Sequence, residues 1–419
     1  MSSITQTFLP REPKPVYSNE KECLGWINQT GRLKIKIMTW NVLAQCLVKR
    51  NLFPGSDCLK WKERGKTITE EIINYDPDVI CLQEVDRLTD HGPILTKAGY
   101  DYTYKIGGYE EEGKQHGLLI GWKRQEYEQI NEHLIRLDEE TYKEKIGISR
   151  STRNIGLICA LKSKLDSSSS VGLVIGTAHL FWHARFVYER SRQIAFLSRG
   201  IQSFKTSLDH SINWTTCLAG DFNEEPNSFG YRLMTGIKSD EHQRENFNRS
   251  RLIHKSVDVM MNRTIKDEVY ETIEGDDDRV FKEVRKLNEP DELFNETELK
   301  EIHGKKSWIS LYGRWGERMK DQDGNRFKDR EEEIIKATKP DVCITNFTPL
   351  WRCTLDYIFI LDDRSEPESE TNPSSPTLNP KFQVISLLPT HRTQDLQPGL
   401  PRLRIEPSDH ISLMAELLI

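Results

Sequence analysis

The chain has eight cysteines, at positions 23, 46, 58, 81, 159, 217, 343 and 353, and no two of them form a Cys-x-x-Cys pair. That spacing carries no zinc signature and points to a reducing compartment. Cys81, Cys159 and Cys217 fall within apolar runs, where a free thiol serves as a small hydrophobe. No apolar run approaches the ~20 residues needed to cross a bilayer, so no membrane is expected among the partners. The first residues lack a basic-then-apolar signal pattern, and Glu12, Glu20 and Glu22 speak against a mitochondrial presequence. A cytoplasmic or nuclear location is expected. Basic charge is not in excess either: 59 Lys and Arg against 65 Asp and Glu give a net charge of -6. This excludes a uniformly basic nucleic-acid-coating surface but leaves room for a local basic cleft.

Of the 419 residues, 36% are hydrophobic and 30% charged. This supports a sizeable core in one large domain or two, with long polar segments outside it. Residues 214–229 organise the rest. The apolar run Cys217-Leu218-Ala219 reads as a buried strand that Gly220 ends, and Asp221-Phe222-Asn223 follow before a turn at Pro226-Asn227-Ser228. Residues two apart on an extended chain point the same way, so Asp221 and Asn223 can face one reacting atom. A helix N-cap accounts for the same pair on local grounds, and partners on other strands decide between the two.

Such partners exist. Leu33 to Thr39 alternates as a strand and runs into Asn41, a residue that strands disfavour; a local turn or a metal or phosphate ligand would account for it. Trp61 to Tyr75 reads as an amphipathic helix. The apolar strand Val79-Ile80-Cys81-Leu82 delivers Gln83 and Glu84, a carboxylate costly to bury alone. Tyr100 to Tyr104 and Gly117 to Trp122 read as strands joined by a Gly- and Glu-rich turn, and Asn154 to Leu161 with Val171 to Ala178 as a hairpin leading to His179. A lone strand histidine is more often a core residue, yet this one is a third polar group leaving a strand. Arg185, Arg190 and Arg192 open the helix that follows.

Residues 236–342 are dense in charge and poor in apolar repeats. They are expected to form an insertion between core strands, with an independent small domain as the alternative. Asp356, inside the apolar strand Thr354 to Leu361, is the strongest anomaly. Residues 362–381 are Pro-, Ser- and Glu-rich and are expected to be a disordered loop. After a strand at Phe382 to Leu388, Asp409-His410 precede the closing strand Ile411 to Leu418, and the carboxylate would hold or charge the imidazole. Residues 1–31, polar with three prolines, are expected to be a flexible arm.

Carboxylates, amides and imidazoles converging in one cleft form an oxygen-rich site that suits a hard cation such as Mg²⁺. The histidines would stabilise charge on a phosphate oxygen or handle a proton. The chemistry implied is metal-assisted hydrolysis of a phosphate ester.

Thr-Trp-Asn-Val-Leu-Ala (39–44), Leu-Gln-Glu-Val (82–85), Thr-Ala-His-Leu (177–180), Gly-Asp-Phe-Asn (220–223), Leu-Asp-Tyr-Ile-Phe (355–359) and Pro-Ser-Asp-His (407–410) occur in the order of the endonuclease/exonuclease/phosphatase superfamily, which the chain resembles. The resemblance implies an α/β catalytic domain over 32–419: a DNase I-like four-layer sandwich, with two facing mixed β-sheets flanked by helices. Within the superfamily the chain looks most like the deadenylase branch of nocturnin, Angel and the fungal Ngl RNA exonucleases. His179-Leu-Phe-Trp-His183, Tyr188-Glu-Arg190-Ser-Arg-Gln193 and Pro407-Ser-Asp-His410 are closest to Ngl.

That branch implies a 3′-to-5′ RNA exonuclease releasing 5′-mononucleotides, in RNA 3′-end processing or poly(A) shortening. It would use Mg²⁺, with Mn²⁺ as a substitute, as one ion or two. Glu84 and Asn41 would be the metal ligands. Asp221, as base, and Asn223 would position the attacking water and the phosphate, and His179 would contact the phosphate. Asp356 would support a second metal, and Asp409 would orient His410. Trp351, five residues before Asp356, would stack on a base, unless it is buried in its strand. Ala184 replaces a proline that packs on the base's other face in relatives, which loosens the expected adenine preference. Arg190 completes the substrate-binding set. RNA is the implied partner, and the 236–342 segment a surface for a protein partner. The competing readings are a phosphoinositide or dinucleotide phosphatase or a DNA endonuclease on the same fold, an RNA-binding scaffold, and an adaptor working through the insertion.

Overall fold

Most core strands carry large apolar side chains on both faces, which demands a cover on each side. The computed structural model describes residues 7–16, 32–107, 115–165, 170–251, 292–315, 344–349, 351–363 and 382–419. In it, two sheets meet face to face and helices close their outer faces, as the four-layer sandwich requires. The first sheet holds β1 (Lys14–Pro15), β2 (Lys34–Asn41), β3 (Val79–Val85), β4 (Tyr100–Ile106), β5 (Gly117–Lys123), β14 (Gln383–Leu387) and β15 (Leu413–Leu418). Their order is β1-β14-β15-β2-β3-β5-β4. The second holds β6 (Tyr127–Arg136), β7 (Ile155–Ser163), β8 (Val171–His179), β9 (Asn213–Asp221), β10 (Trp308–Ser310) and β13 (Asp356–Leu361), in the order β10-β13-β9-β8-β7-β6. A short ribbon joins β11 (Asn346–Phe347) to β12 (Arg352–Cys353).

β2 and β3 run parallel, as do β8 and β9. Parallel neighbours need a crossover, supplied by α1 (Trp61–Tyr75) in the first sheet and α3 (Val187–Thr206) in the second. α2 (Leu88–Lys97) joins α1 on the first sheet's outer face, where Ile68, Ile72 and Leu95 cover Met38, Trp40 and Leu82. α3, α4 (Phe229–Thr235), a helix over 241–251 (α5) and α6 (Glu296–His303) cover the second sheet.

Between the sheets, Ile35, Ile37 and Cys81 meet Cys159, Ile175, Cys217, Ala219 and Ile358. The three thiols are free and buried; burial pushes Cys159 up to about 12, which keeps it a neutral hydrophobe. Alternate residues of β2, β8, β9 and β13 fill this core, and the same columns run on to Asn41, His179, Asp221 and Asp356. Antiparallel pairing sets Asp356 opposite Asp221, so all four columns end at one edge. Just beneath, Gln83 Nε2 donates to Thr39 Oγ1 at 3.1 Å and to Thr177 Oγ1 of the other sheet at 3.0 Å.

Part of the expected arm is docked. Residues 14–15 pair with β14. Arg11 is buried, donating to Glu71 at 2.8 Å and to the Ser412 carbonyl at 2.7 Å. Its polarity hid this role, because Arg11 answers buried carboxylates rather than water. Burial first, then the neighbouring Glu406, pushes Glu71 up to about 8. Residues 1–6 and 17–31 lie outside the described residues.

The charged stretch 236–342 divides in a similar way. Phe294, Leu299, Ile302, Trp308, Leu311 and Trp315 are buried core residues, β10 extends the second sheet, and α7 (Leu311–Trp315) packs on the central core. Their spacing follows no single period because the chain changes element repeatedly within 292–315. Residues 252–291 and 316–343 lie outside the described residues, as do 364–381 of the loop expected over 362–381.

Candidate active site

Glu84 reaches the site by a different route from its neighbours. On β3, Cys81 and Gln83 face the other sheet, so strict alternation would turn Glu84 toward the helices. The register shifts between Leu82 and Val85, and Glu84 takes a left-handed backbone with φ 59°. This bulge re-aims the carboxylate into the cleft. There Oε1 accepts from Asn41 Nδ2 at 3.2 Å and Oε2 from the Ala44 amide at 2.9 Å.

Asp221 is the hub. Its Oδ2 accepts from Asn41 Nδ2 at 2.9 Å, lies 3.5 Å from His179 Nε2 and lies 3.7 Å from His410 Nε2. Its Oδ1 accepts the Asn223 amide at 2.9 Å. Burial is the main cause that raises its carboxyl to about 7, with Asp356 adding to the rise and His410 opposing it. His179 Nε2 also stands 3.9 Å from Glu84. Asn223 has φ 49°, so a turn rather than strand alternation brings it beside Asp221, and its side chain donates to the Leu180 carbonyl at 3.1 Å.

His410 corrects one expectation. Its Nδ1 lies 2.8 Å from Asp356 Oδ2, so Asp356 orients the ring. Asp409 instead accepts from Asn346 Nδ2 at 3.3 Å. Adjacent residues diverge in direction, whereas β13 projects Asp356 inward at the ring's height. Burial alone would lower the imidazole's pKa; Asp356, Asp221 and Asp409 outweigh it and hold the ring well above its usual range.

Glu84, His179, Asp221 and His410 border a cleft of about 320 Å³ that Trp351, Ala184, Asn223, Asp409 and Arg190 also line. Trp351 is 42% exposed, so it is not buried in a strand. Arg190 does not offer its guanidinium outward. It donates to the carbonyls of Phe181, His183 and Ala184 and lies 3.3 Å from the buried Glu224, so it braces the loop bearing Ala184.

Three further residues carry the site. Arg64, fully buried, donates to the carbonyls of Pro407 (2.6 Å), Val42 (2.6 Å) and Leu43. Its place one and two helical repeats before Ile68 and Ile72 marks it as inward-facing. His116 and Asn154 line the cleft just outside β5 and β7, with no motif to flag them.

The donor set fits a hard divalent cation. Asp221 and Asp356 bring carboxylate oxygens within 4.8 Å of each other and of the His410 ring, and Glu84 joins Asp221 through their shared donor Asn41. Asp356 Oδ1 is buried without a hydrogen-bond partner. Buried negative charge at this density favours a cation.

The sequence profile of the Endonuclease/Exonuclease/phosphatase family matches residues 38–410. RNA exonuclease NGL2 of Saccharomyces cerevisiae is 38% identical over 222 residues, which cover 48% of this chain and 42% of that protein. The match therefore spans less than half of that relative's length. A probable RNA exonuclease of Schizosaccharomyces pombe is 28% identical over 403 residues, 92% of this chain and 76% of that protein. Among solved structures, ANGEL2, described as a 2′,3′-cyclic phosphatase, shares the fold with a TM-score of 0.63 at 18% identity, covering 100% of this chain and 99% of that one.

Proposed function

Since the chain belongs to the endonuclease/exonuclease/phosphatase family, we propose that it is a Mg²⁺-dependent 3′-to-5′ RNA exonuclease that releases 5′-mononucleotides. The observation that carries this reading is the meeting of Glu84, Asp221, His179 and His410 in one cleft, with Asp356 bonded to the His410 ring and an exposed tryptophan at the cleft's rim. Glu84, Asn41 and Asp221 would hold the metal, which activates water and neutralises phosphate charge. Asp221, held by Asn41 and the Asn223 amide, orients the water and takes its proton. His179 donates to a non-bridging phosphate oxygen. His410, kept protonated by Asp356, stabilises the charge that develops there. Trp351 stacks on the terminal base, a contact that tolerates any base. Ala184 leaves the facing side of that base open. RNA is the partner in this reading. The 236–342 segment would offer a surface to a protein partner.

The test is a gel assay with 5′-labelled RNA ending in A, beside U-, C-, DNA- and 2′,3′-cyclic-phosphate-ended strands, in Mg²⁺, Mn²⁺ or EDTA. A metal-dependent ladder shortening from the 3′ end, absent in Glu84→Ala and His410→Ala, is expected. Removal of the cyclic phosphate alone, with no shortening, would make the protein an end-phosphatase. No reaction on any strand would turn the search to phosphoinositides and dinucleotides.

A further inference from the structure

A second cavity opens beside the cleft, where His116, Arg153 and Asn154 stand beyond Glu84 and His179. His116 lines both cavities, and its ring centre lies 6.2 Å from that of His179.

The strand order says which flank this is. In the first sheet β5 is the neighbour of β3, and His116 precedes β5 by one residue. In the second sheet β7 is the neighbour of β8, and Arg153 and Asn154 immediately precede β7. The pair thus sits about one strand spacing, ~4.8 Å, outside the Glu84–His179 column in both sheets. Trp351 lies on the opposite flank, in the β11–β12 ribbon, which bridges from Asn346 to His410. A strand whose terminal base meets Trp351 and whose scissile phosphate sits at Asp221 therefore leaves the site past His116 and Arg153.

The segment bearing Arg153 is built to hold its shape. Arg153 has φ 56°, a left-handed conformation rare outside glycine. The Asp138 carboxylate holds it, accepting from Ser151 Oγ at 2.9 Å, from the Thr152 amide at 2.7 Å and hydroxyl at 2.8 Å, and from the Arg153 amide at 2.7 Å. A guanidinium and an imidazole one step from a phosphoryl site offer forked and single donors to a phosphate.

Building on the exonuclease reading, we propose that His116 and Arg153 form a second phosphate subsite, which receives the 5′-phosphate of the penultimate nucleotide. The subsite sets a preference for chains over isolated phosphodiesters and fixes the direction in which RNA lies across the cleft.

Two dinucleotides test it. ApA carries the scissile phosphate alone, and pApA adds the phosphate that the subsite would bind. Wild type should favour pApA in kcat/KM by about tenfold or more, the usual scale of a charge-assisted contact. In Arg153→Gln and His116→Gln this ratio should fall toward one through a higher KM for pApA, and Arg153→Lys should keep part of it. Loss of fold lowers both rates and leaves the ratio alone. Equal rates on both dinucleotides in wild type, or a ratio unchanged in the variants, would overturn the subsite. If wild type cuts neither, the exonuclease reading fails, and fluorescence anisotropy with 3′-labelled ApA and pApA decides the subsite separately. A 5′-phosphate that adds no affinity removes it; added affinity lost in Arg153→Gln sustains it.

Discussion

Asp356→Asn is the sharpest test of how the site works. The substitution keeps the size of the side chain and removes its charge. Asp356 Oδ2 lies 2.8 Å from His410 Nδ1, and both residues are at most 5% exposed, so solvent screens the pair little. A hydrogen bond to a charged group is worth roughly 1.5–3 kcal/mol, or about 10- to 150-fold on His410 ionisation. An asparagine can also present its amide to Nδ1 and impose the wrong tautomer, a fault that costs a comparable histidine–aspartate pair ~10⁴ in rate. The expected loss in kcat is therefore about 10²- to 10⁴-fold. Because Asp356 holds the imidazolium, its loss should also shift the alkaline limb of the pH–rate profile to lower pH. Asp409→Asn is the control: Asp409 accepts from Asn346 Nδ2 at 3.3 Å and Ser408 Oγ at 3.4 Å and ranks behind Asp356 and Asp221 in raising the ring's pKa, so a loss under about tenfold is expected. The assay is single-turnover cleavage of 5′-labelled RNA from pH 6 to 9, with thermal melts to confirm folding. A larger loss in Asp409→Asn than in Asp356→Asn would refute the assignment of the ring's partner.

The remaining predictions concern stability and substrate. Burial and Glu406 raise Glu71 from 4.5 to about 8, and burial raises Glu406 to about 7, so the native state binds protons that the unfolded state releases. That stability is complete below about pH 4.5 and is lost as pH rises toward 8, by about 4–5 kcal/mol from Glu71 alone. Glu71→Gln mimics the protonated acid and should flatten the decline in Tm between pH 5 and 8.5; an unchanged slope would refute the protonated pair. Trp351→Ala should raise KM for short RNA by about tenfold with kcat nearly constant, and Trp351→Phe should restore most of it. Arg190→Ala leaves Glu224 buried without its cation and should cost about 3–5 kcal/mol in urea unfolding, whereas a much smaller cost would show that the loop does not depend on it.

The sequence made legible whatever continues a strand's period. Asn41, His179, Asp221 and Asp356 extend columns whose apolar members are Ile37, Ile175, Ala219 and Ile358, so a polar residue interrupting an apolar strand pattern marked each of them. Glu84 stood out as a carboxylate costly to bury alone, but its aim depends on a bulge that alternation cannot foresee. The partner of His410 was misassigned because adjacency along the chain stood in for adjacency in space. Arg190 looked like a substrate contact, since sequence alone does not say whether a basic side chain meets an anion or a ring of carbonyls. Edge elements were hidden for a different reason. β6, Tyr-Glu-Gln-Ile-Asn-Glu-His-Leu-Ile-Arg, is half-exposed and polar, and Glu132 binds Thr103 and Lys105 of β4 where the two sheet edges meet. His116 and Arg153 precede their strands in otherwise unremarkable sequence, and only the sheet order brings them together.

The groups gathered at the cleft are also mechanically one body, and β2 is the reason. Asn41 donates to both Glu84 and Asp221, which belong to different sheets. The Asn41 carbonyl accepts from Ser408 Oγ at 2.6 Å, and Trp40 Nε1 donates to the His410 carbonyl at 2.9 Å, so the segment bearing His410 hangs from the same two residues. Arg64 ties Pro407 to Val42 and Leu43 from behind. A displacement of the end of β2 would move Glu84, Asp221 and His410 together. Truncating Asn41 removes the donor that relieves two buried carboxylates, so the loss should fall on metal affinity and stability at once. Truncating His179, which ends a neighbouring strand and stands 3.5 Å from Asp221 and 3.9 Å from Glu84, farther than the Asn41 donor, should lower turnover with a smaller loss of metal affinity and stability. The separation of those two outcomes follows from the register of the sheets, with the site inherited from the way two parallel pairs end at a common edge.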